Sequence, residues 1–194
     1  IDVLPPTINE SNYYFKVEGD HAIRFGLGGI KNVGEDIVKA VVEERKNNGP
    51  YQHLDDFVHR LFQSVTKRSI EYMIMAGTMD SFGDRNALLQ LVPNIYEKEK
   101  VRNKSLSLGQ IDIFSLDQDA SKKEETVVMT PLPKIEKTPV AQALSWEKEL
   151  LGLYFSSHPL DAFQEFFESK NVISIRDALE NKKNNDMVIL GVMV

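Results

Sequence analysis

The sequence predicts a mainly α-helical protein with a small β-hairpin near its start, a linker past its middle and a β-strand at its end. Three observations carry that prediction. Apolar residues recur at helical spacing in four successive stretches after Gly34. Two short runs rich in aromatic and β-branched residues, joined by a glycine turn, come before them. Residues 104–139 sustain neither period and collect prolines instead.

Taken in order, Tyr13-Tyr14-Phe15-Lys16-Val17 and Ala22-Ile23-Arg24-Phe25 form the two arms of the hairpin, with Glu18-Gly19-Asp20 between them. Ile37, Val38, Val41, Val42 and Arg45 then fall on one helical stripe, which Asn47-Asn48-Gly49-Pro50 ends. Leu54, Phe57, Val58, Leu61 and Phe62 predict a second helix, with Asp55 and Asp56 in its first turn, where the helix dipole favours acids. A third spans about residues 67–76, with Ile70, Met73 and Ile74 inward. A fourth starts near Arg85, and Pro93 should break or kink it before it resumes through Ile95 and Tyr96. Order returns at residues 140–155, where Ala143, Leu144, Leu150 and Leu151 can pack and Trp146 reads as a packing anchor. Ser156-Ser157-His158-Pro159 is a turn launching a helix with Phe163, Phe166 and Phe167, and a short helix near Ile175 and Leu179 follows. The domain organisation expected is 1–103, 104–139 as linker, 140–183 as helical connector, and 184–194 as the start of a β domain.

The 194 residues suffice for one ordinary domain or one domain with part of another. Hydrophobic content of 42% with 27% charged residues is that of a soluble globular protein. There is no apolar run of membrane-spanning length and no cationic signal segment, so a cytoplasmic protein without membrane contact is expected. The absence of cysteine excludes disulfides and thiolate metal sites and fits a reducing compartment. The start at Ile1 and the terminal apolar run of residues 187–194 read as an excised piece with a β domain cut through. A net charge of −6 argues against a free-standing nucleic-acid-coating protein, which would be basic. Contact with DNA would have to come from local patches.

One such patch is Leu27-Gly28-Gly29-Ile30-Lys31-Asn32-Val33-Gly34, followed at once by the Ile37 and Val41 stripe, which has the layout of a helix-hairpin-helix. A tight turn pins an apolar residue between two positions of unusual backbone angle. The turn and the next helix's N-terminus together offer backbone N–H groups to a phosphate. Lys31 and Lys39 add charge there. Asn32 stands where glycine is usual, and Asn tolerates positive φ best among the other residues. Glu35 and Asp36 compete with phosphate for the same dipole. The plainer reading is a helix-starting turn with no ligand. A second turn, Asp80-Ser81-Phe82-Gly83, has Arg85 just after it and Lys67-Arg68 at the head of the preceding helix. The candidate duplex contacts are therefore Lys31, Asn32, Val33, Gly34, Lys39, Lys67, Arg68, Ser81, Gly83 and Arg85, holding phosphates without reading bases.

A different kind of site is Gln110-Ile111-Asp112-Ile113-Phe114, between Ser105 and Ser107 on one side and Asp117 and Asp119 on the other. Ile113 and Phe114 lie in a stretch too polar on both flanks to be a core element. Such residues either cover their own domain or bury themselves in a partner. The pattern Gln-x-Asp-Ile-Phe resembles the short peptide by which bacterial replication and repair proteins dock on the sliding clamp.

Enzyme signatures are missing. His21, His53, His59 and His158 lack metal-ligand spacing, and His53 and His59 read as residues of a solvated helix surface. There is no phosphate-binding Gly-x-x-x-x-Gly-Lys-Ser/Thr loop, and Gly26-Leu27-Gly28-Gly29 lacks the strand–turn–helix setting of a dinucleotide site. Asp55-Asp56 is explained as helix-start capping.

Several stretches, in this order, resemble one family. They are Leu4-Pro5-Pro6 with Ile8-Asn9-Glu10-Ser11, Ile23-Arg24-Phe25-Gly26-Leu27, Ile30-Lys31-Asn32-Val33-Gly34, and Ala76-Gly77-Thr78-Met79-Asp80-Ser81-Phe82-Gly83. Gln110 to Phe114, Glu149-Leu150-Leu151-Gly152-Leu153-Tyr154 and Ser157-His158-Pro159-Leu160-Asp161 complete the set. Together they are similar to the C-terminal half of the bacterial DNA polymerase III alpha subunits. The departures are Asn32, Ser157 where the family generally has glycine, and Pro93, which interrupts a helix expected to be longer. The resemblance implies a tandem helix-hairpin-helix domain holding the emerging duplex, Gln110, Ile111, Asp112, Ile113 and Phe114 as the clamp-binding peptide, and residues 187–194 as the first strand of an OB-type barrel. It further implies the sliding clamp (beta subunit) and the rest of the polymerase III holoenzyme as partners. The family's catalytic aspartates and their magnesium belong to a palm upstream, so no cofactor and no catalytic residue are expected in this segment. A scaffold-only interaction module with purely structural hairpins is the alternative.

Overall fold

The computed structural model describes residues 1–107, 127–169 and 179–180. The chain divides into two units, Ile1–Phe155 and Ser156–Val194.

The first unit opens with a three-stranded sheet of β1 (Asp2–Leu4), β2 (Lys16–Glu18) and β3 (Ala22–Arg24), in the order β1-β3-β2. β2 and β3 are the expected hairpin, antiparallel with Lys16 opposite Arg24. Gly19 takes φ +60° at its turn, where a Cβ would be strained. The arms are shorter than expected, because Tyr13 leaves the ladder and gives its carbonyl to the Gly28 amide at 3.0 Å. β1 joins β3 in parallel, a pairing not expected from the sequence. Three residues before two prolines carry too little pattern to announce a strand.

Among the described residues five helices follow: α1 (Glu35–Asn48), α2 (Leu54–Leu61), α3 (Lys67–Met75), α4 (Arg85–Ser107) and α5 (Val140–Leu150). α1 ends at Gly49, whose φ of +82° suits glycine. α3 begins with a capping box between Thr66 and Ser69. Their apolar stripes meet in one core: Val38 and Val41, Phe57 and Val58, Ile70, Met73 and Ile74, and Leu88 and Val92, with Ile8, Leu27 and Leu150. Among the described residues no helix is long and apolar enough to cross a membrane.

Several expectations need correction. α4 is one helix of 23 residues that runs through Pro93. Proline removes the hydrogen bond that the Leu89 carbonyl would otherwise receive, but Val92 and Ile95 on either side are buried and hold the helix in place. α4 also passes the expected boundary at 103. Arg45 on the α1 stripe is not packed as an apolar residue. Its guanidinium donates to the carbonyls of Ile8 and Ser11 at 2.7 and 2.9 Å. His53 and His59 are half-buried and partnered: the His53 ring caps α2 by accepting from the Asp56 amide, and His59 lies 3.0 Å from Glu99 on α4. Trp146 is only partly buried, whereas its neighbour Glu147 is wholly so.

The described part of the linker, residues 127–139, is an extended strap fastened at two points. The Asp55 carboxylate takes the amide and hydroxyl of Thr130, and the Asp84 carboxylate takes the amide and hydroxyl of Thr138. Asp55 is thus a buried fastening and not merely a charge in a first turn. α5 then packs on α3 within the same unit.

In the second unit, Asp161 accepts from the Ser157 hydroxyl at 3.0 Å and the His158 amide at 2.8 Å, closing the expected turn. These bonds hold the Asp161 carboxyl below its usual range. A 3-10 turn at Asp161–Phe163 leads into α6 (Gln164–Ser169). Most of the expected helix near Ile175, and all of the expected barrel strand, lie outside the described residues.

Candidate nucleic-acid interface

The first turn is built from below. A 3-10 turn at Leu27–Gly29 receives the Asn12 and Tyr13 carbonyls on its first two amides. A Cβ at Gly26 would come within 2.5 Å of the Tyr13 carbonyl oxygen, so this approach needs glycine. Ile30 is buried beneath, and its carbonyl accepts from the Val33 amide at 3.4 Å. Asn32, between them, takes φ +65°, the conformation Asn supports better than other side chains. Gly34 is ordinary by contrast, with φ −66°, and a Cβ there would meet only Ile37 Cδ1 at 4.0 Å. Only one flank of Val33 is therefore conformationally unusual. What glycine supplies at position 34 is room over the start of α1.

That start carries no side-chain cap, so the first-turn amides of α1 are offered outward. Lys31 is exposed beside them and, among the described residues, joins no ion pair. Lys39 is less available, because its ammonium lies 2.7 Å from Glu35. That hydrogen bond holds the Lys39 pKa above its usual value. The same pair partly neutralises the acid that would oppose a phosphate.

The second turn repeats the spacing of the first but not its backbone angles, since the positive φ falls on Gly83 (+148°) and not on Ser81. Met79 is buried as Ile30 is, its carbonyl accepts from the Phe82 amide at 2.8 Å, and Gly83 precedes the next helix. Its electrostatics are opposite. Asp84 presents its carboxylate at the start of α4, accepting from the Asn86 amide at 2.9 Å and from Thr138. Burial pushes the Asp84 pKa up, but the hydrogen bonds from Thr138, Asn86 and Ala87 outweigh it and hold the carboxyl below its usual range. Leu132 of the strap covers Gly83, where an added Cβ would fall 2.5 Å from Leu132 Cδ1. An anion at this helix start would meet a fixed negative charge and the strap.

Arg85 does not face solvent. It is 7% exposed, its Nε and Nη2 grip Asp80 at 2.9 and 2.8 Å, Nη1 reaches the Met75 carbonyl, and Nη2 also reaches Glu147 at 2.9 Å. Burial alone would lower its pKa, but Asp80 and Glu147 outweigh that and raise it. Arg85 holds the second turn shut. Ser81 is exposed at the turn's tip. Lys67 is 3.9 Å from Glu71, and the Arg68 guanidinium lies over the Tyr72 ring and bonds its hydroxyl at 3.0 Å. Both remain at the surface. Gln110, Ile111, Asp112, Ile113 and Phe114 lie outside the described residues. Among the described residues no three His, Asp or Glu side chains converge as a metal site.

Three contributors were not singled out from the sequence: Asp84, Glu147 and the Leu150 carbonyl, which accepts from the Lys31 amide at 3.0 Å. Asp84 had a signal, an acid one residue before a helix start. Glu147 had none, since a buried glutamate among Lys148 and Glu149 reads like a solvated one.

Paired turns of this construction define the helix-hairpin-helix class, and residues 1–88 match the family described as the helix-hairpin-helix motif. Nearly the whole chain also aligns with one larger protein. It is 39% identical to the DNA polymerase III subunit alpha of Chlamydia trachomatis over 90% of its length. The corresponding figures are 40% over 82% for that of Thermus aquaticus and 30% over 100% for that of Vibrio cholerae. The chain belongs with the DNA polymerase III alpha subunits. It spans 14, 12 and 17% of the length of those three relatives.

Proposed function

We infer that this chain is a non-catalytic segment of a DNA-directed DNA polymerase that holds duplex DNA by its phosphate backbone through the first turn. The observation that carries this reading is the uncapped start of α1 beside exposed Lys31, roofed by no side chain at Gly34. A phosphate oxygen there accepts from backbone amides and gains the helix dipole, and it meets no base-reading group. Binding is weak, independent of sequence and steeply reduced by salt. Nucleotide transfer, with its magnesium, is assigned in this reading to the palm of the parent polymerase, outside this segment.

The second contact of this reading is a tether to the sliding clamp at Gln110, Ile111, Asp112, Ile113 and Phe114, supported by their pattern and by the relatives' identity. Burying Ile113 and Phe114 is worth roughly 3 to 6 kcal/mol gross, which after ordering costs leaves about micromolar affinity. A tether of that strength releases readily, yet it raises the local concentration of the duplex contact and so supports processive synthesis.

Two titrations test the two contacts. Fluorescence anisotropy of a short duplex across a salt series should give binding that Lys31→Glu weakens, with a shallower salt slope; an unchanged slope would remove the phosphate contact. A peptide of residues 108–117 should bind a bacterial sliding clamp and lose that binding when Gln110 and Phe114 become alanine. Equal binding by both peptides, or none, sinks the tether. If the clamp peptide binds while duplex binding fails, the chain is the scaffold-only module.

A further inference from the structure

The two turns differ in their electrostatics but share a support, helix α5, which lies outside the matched residues 1–88. Glu147 is wholly buried, and its two carboxylate oxygens are divided between two segments. Oε1 accepts from Arg85 Nη2 at 2.9 Å and Oε2 from the Phe155 amide at 2.6 Å. Arg85 in turn clamps Asp80 of the second turn. Three residues further along α5, the Leu150 carbonyl, one of those a helix C-terminus leaves unpaired, accepts from the Lys31 amide of the first turn. Phe155 stacks edge-on against Phe25 at 5.8 Å, just before the glycines that lead into that turn.

We propose that the second turn serves as the footing and not as a second phosphate grip, and that Glu147 is a positioning residue for the duplex contact, seating α5 so that Leu150 fixes the first turn. This rests on the duplex-contact reading above. It makes the grip of residues 30–34 depend on chain that follows the linker, because the amide of Lys31 is oriented by a carbonyl that Glu147 holds in place. Glutamine at 147 can accept one of the two bonds, but it turns an amide N–H toward the other donor. It therefore loosens α5 without emptying its seat.

The test uses the full chain and a short fluorescent duplex, well below the melting temperature of every variant. Glu147→Gln should weaken binding about fivefold, and in that background Lys31→Glu should cost at least about threefold less than in the unaltered chain, since contacts acting through one element are not additive. Exchange of the Lys31 amide should quicken. Arg85→Met with Glu147→Leu, an apolar pair filling the same seat but leaving the Phe155 amide without its acceptor, should bind more tightly than Lys31→Glu, and this pair decides the matter where Glu147→Gln does not fold. Strictly additive losses overturn the proposal. So does an apolar pair that folds yet binds as weakly as Lys31→Glu, which would make the Arg85 charge itself the contact. Weakening by Lys31→Glu with none by Glu147→Gln sinks this proposal alone, whereas no effect of Lys31→Glu sinks the duplex reading along with it.

Discussion

Thr138 and Asp84 are joined twice, the amide of Thr138 at 3.0 Å and its hydroxyl at 2.9 Å both ending on the one carboxylate that starts α4. A chain segment far along the sequence thereby closes the cap of an earlier helix. Thr138→Val keeps the shape and removes two bonds, the one its hydroxyl donates to Asp84 and the one it accepts from the Asn86 amide, so it should cost about 1–2 kcal/mol and lower the melting temperature by about 2–8 °C.

The same carboxylate gives the fastening a pH dependence. The Asp84 pKa is lowered in the folded protein, so its contribution is complete above the unfolded value, about 3.9, and is lost as pH falls through the lowered folded value. Asp84→Asn should therefore lower the melting temperature by a constant amount above about pH 5, and the gap to the unaltered protein should narrow in stronger acid. Thermal melts between neutral and acidic pH check this; a gap that widened in acid would contradict it.

Gly34 and Asn32 separate conformation from electrostatics. Gly34→Asp places a preferred capping residue at an ordinary φ, so stability should rise by a few tenths of a kcal/mol. The same carboxylate occupies the position argued for a phosphate, and duplex affinity should fall about tenfold. Asn32→Val, at φ +65°, should cost about 1–2 kcal/mol, while Asn32→Gly should be near neutral. Paired melts and anisotropy titrations distinguish these effects.

Reversing a charge should have opposite consequences at the two turns. Arg85→Glu sets a carboxylate against Asp80 and the buried Glu147 and should cost at least about 3–5 kcal/mol, seen as a collapse of the cooperative melt. Lys31→Glu, at an exposed site, should leave the melt nearly unchanged.

Pro93→Ala should restore the hydrogen bond to the Leu89 carbonyl inside α4. The gain expected is about 1–3 kcal/mol, read as a higher melting temperature with no change in duplex binding.

Much of this protein is local and therefore legible in the sequence. The helices from α1 to α4 follow from the spacing of Val38, Val41, Phe57, Ile70 and Leu88, because each stripe must leave water whatever it packs against. The hairpin follows from Gly19, and the positive φ of Asn32 from a tight turn that suits few residues. The candidate first grip, Lys31 to Gly34, is contiguous and could be marked in advance. What the tertiary structure decided is everything set by distant partners. Arg85 looks like a surface cation until Glu147 arrives from α5. Asp55 looks like a first-turn acid, and Asp84 like a simple cap before a helix, until Thr130 and Thr138 reach them. Pro93 looks like a helix breaker until the burial of its neighbours outweighs one lost bond. A side chain's charge is written in the sequence, but whether that charge meets water or a buried counter-charge depends on which segments fold against it.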